Sequence, residues 1–247
     1  MTLQPTDPPL SQRQSVILDR VAQSGFVTID ALAAEFGVSA QTVRRDIIAL
    51  TRAGRLQRFH GGAGPAIAAE AARLDHRAKA KLSGPEKRAV GRRAAAAVPD
   101  GASIFLDVGT TIEACAAELA RRPGFCVFTN SMRAAMAFDP SAHQVHVLGG
   151  RLTGRDGSLT GDDVIARLRE IQLDVALIAC SAIDARDRVM DFDLSKIAAK
   201  RAAMAASRRS YLLATRSKFG RTALASIAPL DRFQRVFTEY EGDRADA

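Results

Sequence analysis

The chain has 247 residues, 47% of them hydrophobic and 25% charged, with 35 Lys and Arg against 27 Asp and Glu. This length suits two domains of ordinary size better than one, and the composition shows neither disorder nor a need for covalent staples. The net charge of +8 and a pI near 10.0 favour nucleic acid or a phosphorylated small molecule over a membrane surface as partner. Apolar runs such as residues 175–180 fall far short of the roughly 20 residues that span a bilayer. Residues 1–10 hold three prolines and no apolar signal core, so a cytoplasmic protein without membrane contact is expected. Cys115, Cys126 and Cys180 are odd in number and widely spaced in apolar sequence, which reads as free thiols rather than a disulfide framework or a zinc cluster. His143 and His146 lie three apart without further placed ligands and read as a strand edge, so neither a metal nor a cofactor is expected.

Ser11 and Gln14 have the spacing of a capping box, and an apolar period continues through Val16, Ile17 and Val21, predicting a first helix over about 12–23. A second, short helix follows, with Thr28 as cap, Leu32 and Phe36 on one face and Gly37 as its stop. After a three-residue turn Ser39 caps a third helix, whose Val43, Ile47 and Leu50 form a buried stripe. Its other face carries Gln41, Thr42, Arg44 and Arg45 in the first two turns, where a recognition helix presents side chains to the major groove. Arginine pairs bidentately with guanine and glutamine with adenine, while Ser39 and the helix N-terminus suit a backbone phosphate. Residues 55–62 alternate basic or polar with apolar side chains before a glycine turn, as a small β-wing would. Residues 37–64 hold Arg44, Arg45, Arg52, Arg55 and Arg58 against Asp46, a local charge of +4. Such a patch would bind phosphates with steep salt dependence.

The run Val38-Ser39-Ala40-Gln41-Thr42-Val43-Arg44-Arg45-Asp46 and the later Arg58-Phe59-His60-Gly61-Gly62-Ala63 resemble the signature of the DeoR/GlpR family of bacterial winged helix-turn-helix repressors. The resemblance implies that Ser39, Gln41, Thr42, Arg44, Arg45, Arg55, Arg58, His60, Gly61 and Gly62 meet double-stranded operator DNA. The DNA-binding domain is placed at residues 1–64.

Residues 65–82 are rich in Ala and Arg without a strand pattern and form the expected linker, with room for partial helix, ahead of an effector-binding domain at 83–247. A strong helix is predicted from about 84 to 98, ended by Pro99-Asp100-Gly101. Thereafter short apolar strands alternate with helical stretches. The strands are predicted near 103–108, 125–129, 144–148, 175–180, 210–214 and 235–238, an α/β pattern that implies a mainly parallel sheet with helices on both faces.

Ligands of such folds sit beyond the carboxyl ends of the strands, where the polar clusters of this sequence fall. Asp107-Val108-Gly109-Thr110-Thr111 follows one strand and opens a helix, so backbone amides and a threonine cap could hold a phosphate while Asp107 meets sugar hydroxyls. Thr129-Asn130-Ser131 and Leu148-Gly149-Gly150-Arg151 follow two more strands, and Lys218 offers a cation after another.

These residues and Ser217-Lys218-Phe219-Gly220 also resemble the family's effector-sensing domain, whose fold is similar to ribose-5-phosphate isomerase and coenzyme A transferases. The resemblance implies a phosphorylated sugar or polyol effector that touches Asp107, Gly109, Thr110, Thr111, Thr129, Asn130, Ser131, Gly149, Gly150, Lys200 and Lys218. Ala179 and Ala182 stand where the family usually has glycines, and Thr215 where an aspartate often stands, which leaves an atypical effector and a partly degenerate pocket both open. The function implied is a transcriptional repressor released from DNA by its effector and acting as a homo-oligomer, dimer or tetramer, on repeated half-sites. A sugar-phosphate isomerase carrying a DNA-binding domain is the rival. Asp107, Asp184 and Asp191 are available to it, but no acid and base stand paired at defined spacing. RNA binding is a more distant option, since Phe36 belongs to an apolar face and the basic stretch 37–64 holds Phe59 as its one Phe, Trp or Tyr.

Overall fold

The computed structural model describes residues 10–24, 26–59, 61–65, 84–153 and 156–240. His60 and nearly all of the expected linker therefore lie outside the described residues.

The first three helices form where the caps and apolar stripes place them. Helix α1 (Gln12–Ser24) opens on a reciprocal cap, Gln14 N donating to Ser11 Oγ at 3.2 Å and Ser11 N to Gln14 Oε1 at 3.1 Å. The amide of Ala31 donates to Thr28 Oγ1 at the start of α2 (Ile29–Phe36), and Thr42 N donates to Ser39 Oγ at the start of α3 (Ala40–Arg52). Val43, Ile47 and Leu50 are buried against Ile17, Val21, Leu32 and Leu56 in a small core of their own. Asp46, on the inner side of α3, receives Arg13 at 2.6 Å and Gln14 at 3.3 Å, which ties α1 to α3. Strands β1 (Val27–Thr28), β2 (Leu56–Phe59) and β3 (Gly62–Pro65) pair antiparallel in the order β1-β3-β2 and make the wing.

The larger part runs α4 (Gly84–Ala96), β4 (Ser103–Leu106), α5 (Thr110–Leu119), β5 (Cys126–Thr129), α6 (Met132–Ala135), β6 (Gln144–Val147), β7 (Arg151–Thr153), β8 (Ser158–Thr160), α7 (Asp162–Arg169), β9 (Leu173–Ala179), β10 (Ala182–Ile183), β11 (Arg188–Asp191), α8 (Leu194–Ala205), β12 (Ser207–Leu213), β13 (Ala225–Pro229) and β14 (Arg235–Phe237). Six of these strands form one parallel sheet in the order β14-β12-β9-β4-β5-β6. Successive residues of β4 point to opposite faces: Ile104 and Leu106 pack with Val90 and Ala94 of α4 and Ile112 and Cys115 of α5. Phe105 packs on the other side with Val164 and Leu168 of α7 and Ile197 and Ala203 of α8. A parallel sheet covered on both faces is the arrangement its continuous apolar strands require.

All six strands predicted from the apolar runs occur, with ends shifted by at most three residues. The helix predicted to reach residue 98 stops at Ala96, its last turn tightening as Ala97 N and Val98 N donate three residues back to Ala94 O and Ala95 O. Two antiparallel pieces are additional: the hairpin β7-β8, and a small sheet in the order β10-β11-β13 beyond the carboxyl end of β9.

Candidate functional site

Two surfaces gather most of the candidate residues. On α3, Gln41, Arg44 and Arg45 are exposed and Thr42 is half-buried, while the stripe on the opposite side is fully buried. Asp46, the one carboxylate within α3, turns inward to Arg13 and so does not face Arg44 and Arg45. Arg55 and Arg58 are exposed on the approach to the wing and within it, and Gly61 makes its tip with φ +85. Gly62 has a packing reason for its identity, since a Cβ there would sit 2.2 Å from Val27 O and 2.6 Å from Phe26 Cζ. The ring of Phe26 lies across the wing where that Cβ would be.

The second surface is set by strand order. The chain proceeds from β4 outward through β5 and β6, then returns to the other side of β4 with β9, so the switch point lies between β4 and β9. Asp107 to Thr111 follow β4, and Cys180 and Ser181 follow β9. Gly109 is the N-cap of α5 with φ +136, and no side chain caps this helix. The threonine cap expected at this position is thus absent; the extended, glycine-specific backbone of Gly109 holds the N-cap position. Thr110 and Thr111 are both half-buried, leaving the first amides of α5 without a side-chain cap at the switch point.

Behind this helix end lies a buried ionic cluster. Lys200 is 2% exposed and Asp107 1%. Lys200 Nζ donates to Asp107 Oδ2, to Ala179 O at 2.9 Å, and approaches Asp191 Oδ2 at 3.5 Å. Ala179 N donates to the same Asp107 oxygen at 2.9 Å, and Asp191 Oδ1 accepts from Ser181 Oγ at 2.7 Å and Phe192 N at 2.8 Å. Two hydrogen bonds and an ion pair thus hold the Lys200 ammonium inside the fold. Burial works against the Lys200 cation, but Asp107 and Asp191 outweigh it and hold its pKa above the ordinary lysine value. Burial also pushes the Cys180 thiol up to about 12, with Lys218 acting in the opposite direction.

Of the predicted effector contacts, Asp107, Gly109, Thr110, Thr111, Lys200 and Lys218 converge on this strand-end region. Lys218 ends a short 3-10 turn (Arg216–Lys218), and a bridge between Ile183 and Phe219 brings that turn to β10. Thr129, Asn130 and Ser131 are buried and act within the fold: Thr129 Oγ1 donates to Leu106 O at 2.6 Å, Asn130 Nδ2 to Leu159 O at 3.0 Å, and Ser131 Oγ caps α6. Asn130 Oδ1, in contrast, is buried with no hydrogen-bond partner. Gly149 and Gly150 are exposed in the turn between β6 and β7. The Ala179 methyl lies 3.8 Å from where a Cβ on Gly109 would stand, and Thr215 is buried with Oγ1 2.9 Å from Ser217 Oγ. His143 is buried against Phe125 and Phe138, and among the described residues no group of three or more His, Cys, Asp or Glu could hold a metal ion. The roles of Ser181 and Phe192 were not legible from spacing. Lys200 did leave a signal, being a charge on the otherwise apolar stripe of Ile197, Ala199 and Ala203.

Residues 13–66 match the model of the DeoR-like helix-turn-helix domain, and residues 83–240 match that of the DeoR C-terminal sensor domain. The chain belongs to the DeoR family. Among its relatives, the glycerol-3-phosphate regulon repressor of Escherichia coli (strain K12) is 30% identical over 93% of this chain and 90% of that protein. The Haemophilus influenzae protein of the same name is 32% identical over 92% and 89%. The lactose phosphotransferase system repressor of Staphylococcus aureus (strain N315) is 26% identical over 94% and 93%. Among solved structures, ribose 5-phosphate isomerase A from Methanocaldococcus jannaschii aligns with a TM-score of 0.42 at 17% identity, over 56% of this chain and 55% of that one. As a DeoR-family member the chain is a DNA-binding transcription regulator, and no helix among its described residues is long and apolar enough to cross a membrane.

Proposed function

We propose that this DeoR-family protein is a repressor of carbohydrate or polyol genes, released from its operator by a phosphorylated sugar or polyol. The observation that carries the reading is the uncapped start of α5 at the β4/β9 switch point, with Asp107 behind it and Lys218 approaching from the 3-10 turn. Helix N-terminal amides and a lysine suit a phosphate, and a carboxylate suits hydroxyls. The names of the relatives, repressors of a glycerol-3-phosphate regulon and of a lactose phosphotransferase system, support the metabolite class. Arg44, Arg45 and Gln41 would read bases while Ser39, Thr42, Arg55, Arg58 and the wing glycines hold the backbone. One recognition helix spans few base pairs, so a dimer or larger homo-oligomer on paired half-sites belongs to the same reading.

The enzymatic alternative needs a carboxylate poised as general base. Asp107 is held by Lys200, Asp184 by Arg188, and Asp191 by Ser181 and the Phe192 amide, which favours a sensor. The test is a thermal-shift panel of glycerol 3-phosphate and pentose and hexose phosphates, followed by duplex release monitored by fluorescence anisotropy. A ligand at 100 times its Kd stabilises the fold by about 2.7 kcal/mol, and it should weaken duplex binding about 5- to 150-fold. Lys218→Ala should blunt release while leaving ligand-free duplex binding intact. No shift and no release across the panel would sink the reading.

A further inference from the structure

The ionic cluster behind α5 continues toward the DNA-reading domain. Asp191 ends β11, and its Oδ1 accepts from the amide of the next residue, Phe192, at 2.8 Å. The Phe192 ring stands 6.3 Å, centroid to centroid, from the ring of Phe26 at a 58° tilt. Phe26 is the buried residue before β1 whose ring fills the space over Gly62 in β3, the strand that holds the wing together. Phe192 itself packs on a small cluster of Ala182, Met190 and Ala223, separate from the two cores of the large sheet. It can therefore shift without disturbing either main core, which close-packed interiors resist.

We propose that Phe192 couples the effector pocket to the wing through its contact with Phe26, with Lys200 and Asp191 as the positioning groups behind it. This rests on the sensor-and-reader function proposed above. Lys200 is shared between Asp107, beside the α5 terminus, and Asp191, which anchors the Phe192 backbone. An anion at α5 changes how strongly Asp107 draws on Lys200, and the Asp191 end of the bridge responds. That displacement moves Phe192 against Phe26, and Phe26 cannot move without the wing strand packed beneath it. Coupling of this kind needs an element that both sites bias; here it is the segment from Asp191 to the α8 cap at Asp193.

Reciprocity lets the proposal be tested with DNA alone, since a duplex that biases the wing must also bias the pocket. Hydrogen exchange of residues 179–193 is measured with and without a random-sequence duplex at low salt, in the wild type, Phe192→Ala and Phe192→Tyr, with binding followed by anisotropy. The duplex should alter exchange there by about fivefold or more in the wild type and Phe192→Tyr, the lower end of allosteric coupling, and leave Phe192→Ala unchanged although it still binds. An equal response in Phe192→Ala, or none in a duplex-bound wild type, overturns the proposal and leaves the proposed function standing. A wild type that binds no duplex overturns the DNA-reading function itself. Should Phe192→Ala fold poorly, Phe192→Trp supplies a second readout, because the chain has no other tryptophan. Its emission should change in step with the anisotropy, and a flat emission during binding refutes the contact.

Discussion

Replacing Lys200 with methionine keeps most of the side-chain volume and removes the charge, so it isolates what the ammonium does. Two acceptors lose their donor, Asp107 Oδ2 and Ala179 O, and Asp191 Oδ2 loses its ion-pair partner. Asp107, 1% exposed, keeps the Ala179 amide as a donor but loses its counter-ion. Removing one partner of a buried pair costs about 3–5 kcal/mol, because the other charge stays buried and uncompensated. For a domain of this size a kilocalorie moves Tm by roughly 2–4 °C, so Lys200→Met should lower the sensor-domain Tm by about 6–20 °C. Urea and thermal unfolding followed by circular dichroism read the loss. A loss below about 1 kcal/mol would refute the view that Lys200 neutralises two carboxylates behind the start of α5.

Arg45→Ala should weaken binding to a preferred duplex by about 1–3 kcal/mol if it pairs bidentately with guanine; equal losses on preferred and random duplexes would assign it to phosphate instead. Gly62→Ala puts a methyl 2.2 Å from Val27 O, so it should destabilise the winged domain by about 1–3 kcal/mol and reduce duplex affinity, while sensor-domain unfolding stays put. In acid, Asp174 is held below the ordinary carboxylate range by the Ser103 amide and hydroxyl, and Asp156 is lowered because Lys196 and Ser158 overcome its burial. A depressed folded-state pKa adds stability above the unfolded value and loses it as pH falls through the folded value, so Tm should drop below about pH 4 and Asp174→Asn should flatten that decline.

The two halves of the molecule were legible to different depths. In the reader, each helix start carries a capping side chain next to an apolar period, and both signals act within four residues, so Ser11, Thr28 and Ser39 mark the helix starts. In the sensor, the parallel strands announce themselves as apolar runs because both faces are buried, whereas β7, β8, β10 and β11 are two to four residues long and too short to show a period. The α5 cap misled for a local reason: a threonine beside glycine reads as a cap, yet the φ of +136 at Gly109 gives the N-cap position to the glycine.

By itself, then, the sequence determined the local elements, the basic face of α3 and the family, because these depend on neighbours a turn or a strand away. Tertiary structure decided the rest. Strand order placed β4 beside β9 and so made Asp107 and Cys180 neighbours, although 73 positions separate them in the chain. It buried the Lys200 cation against Asp107 and the Ala179 carbonyl, and it set Phe192 against Phe26. Such contacts depend on how the layers stack, and no spacing along the chain encodes a distance across them.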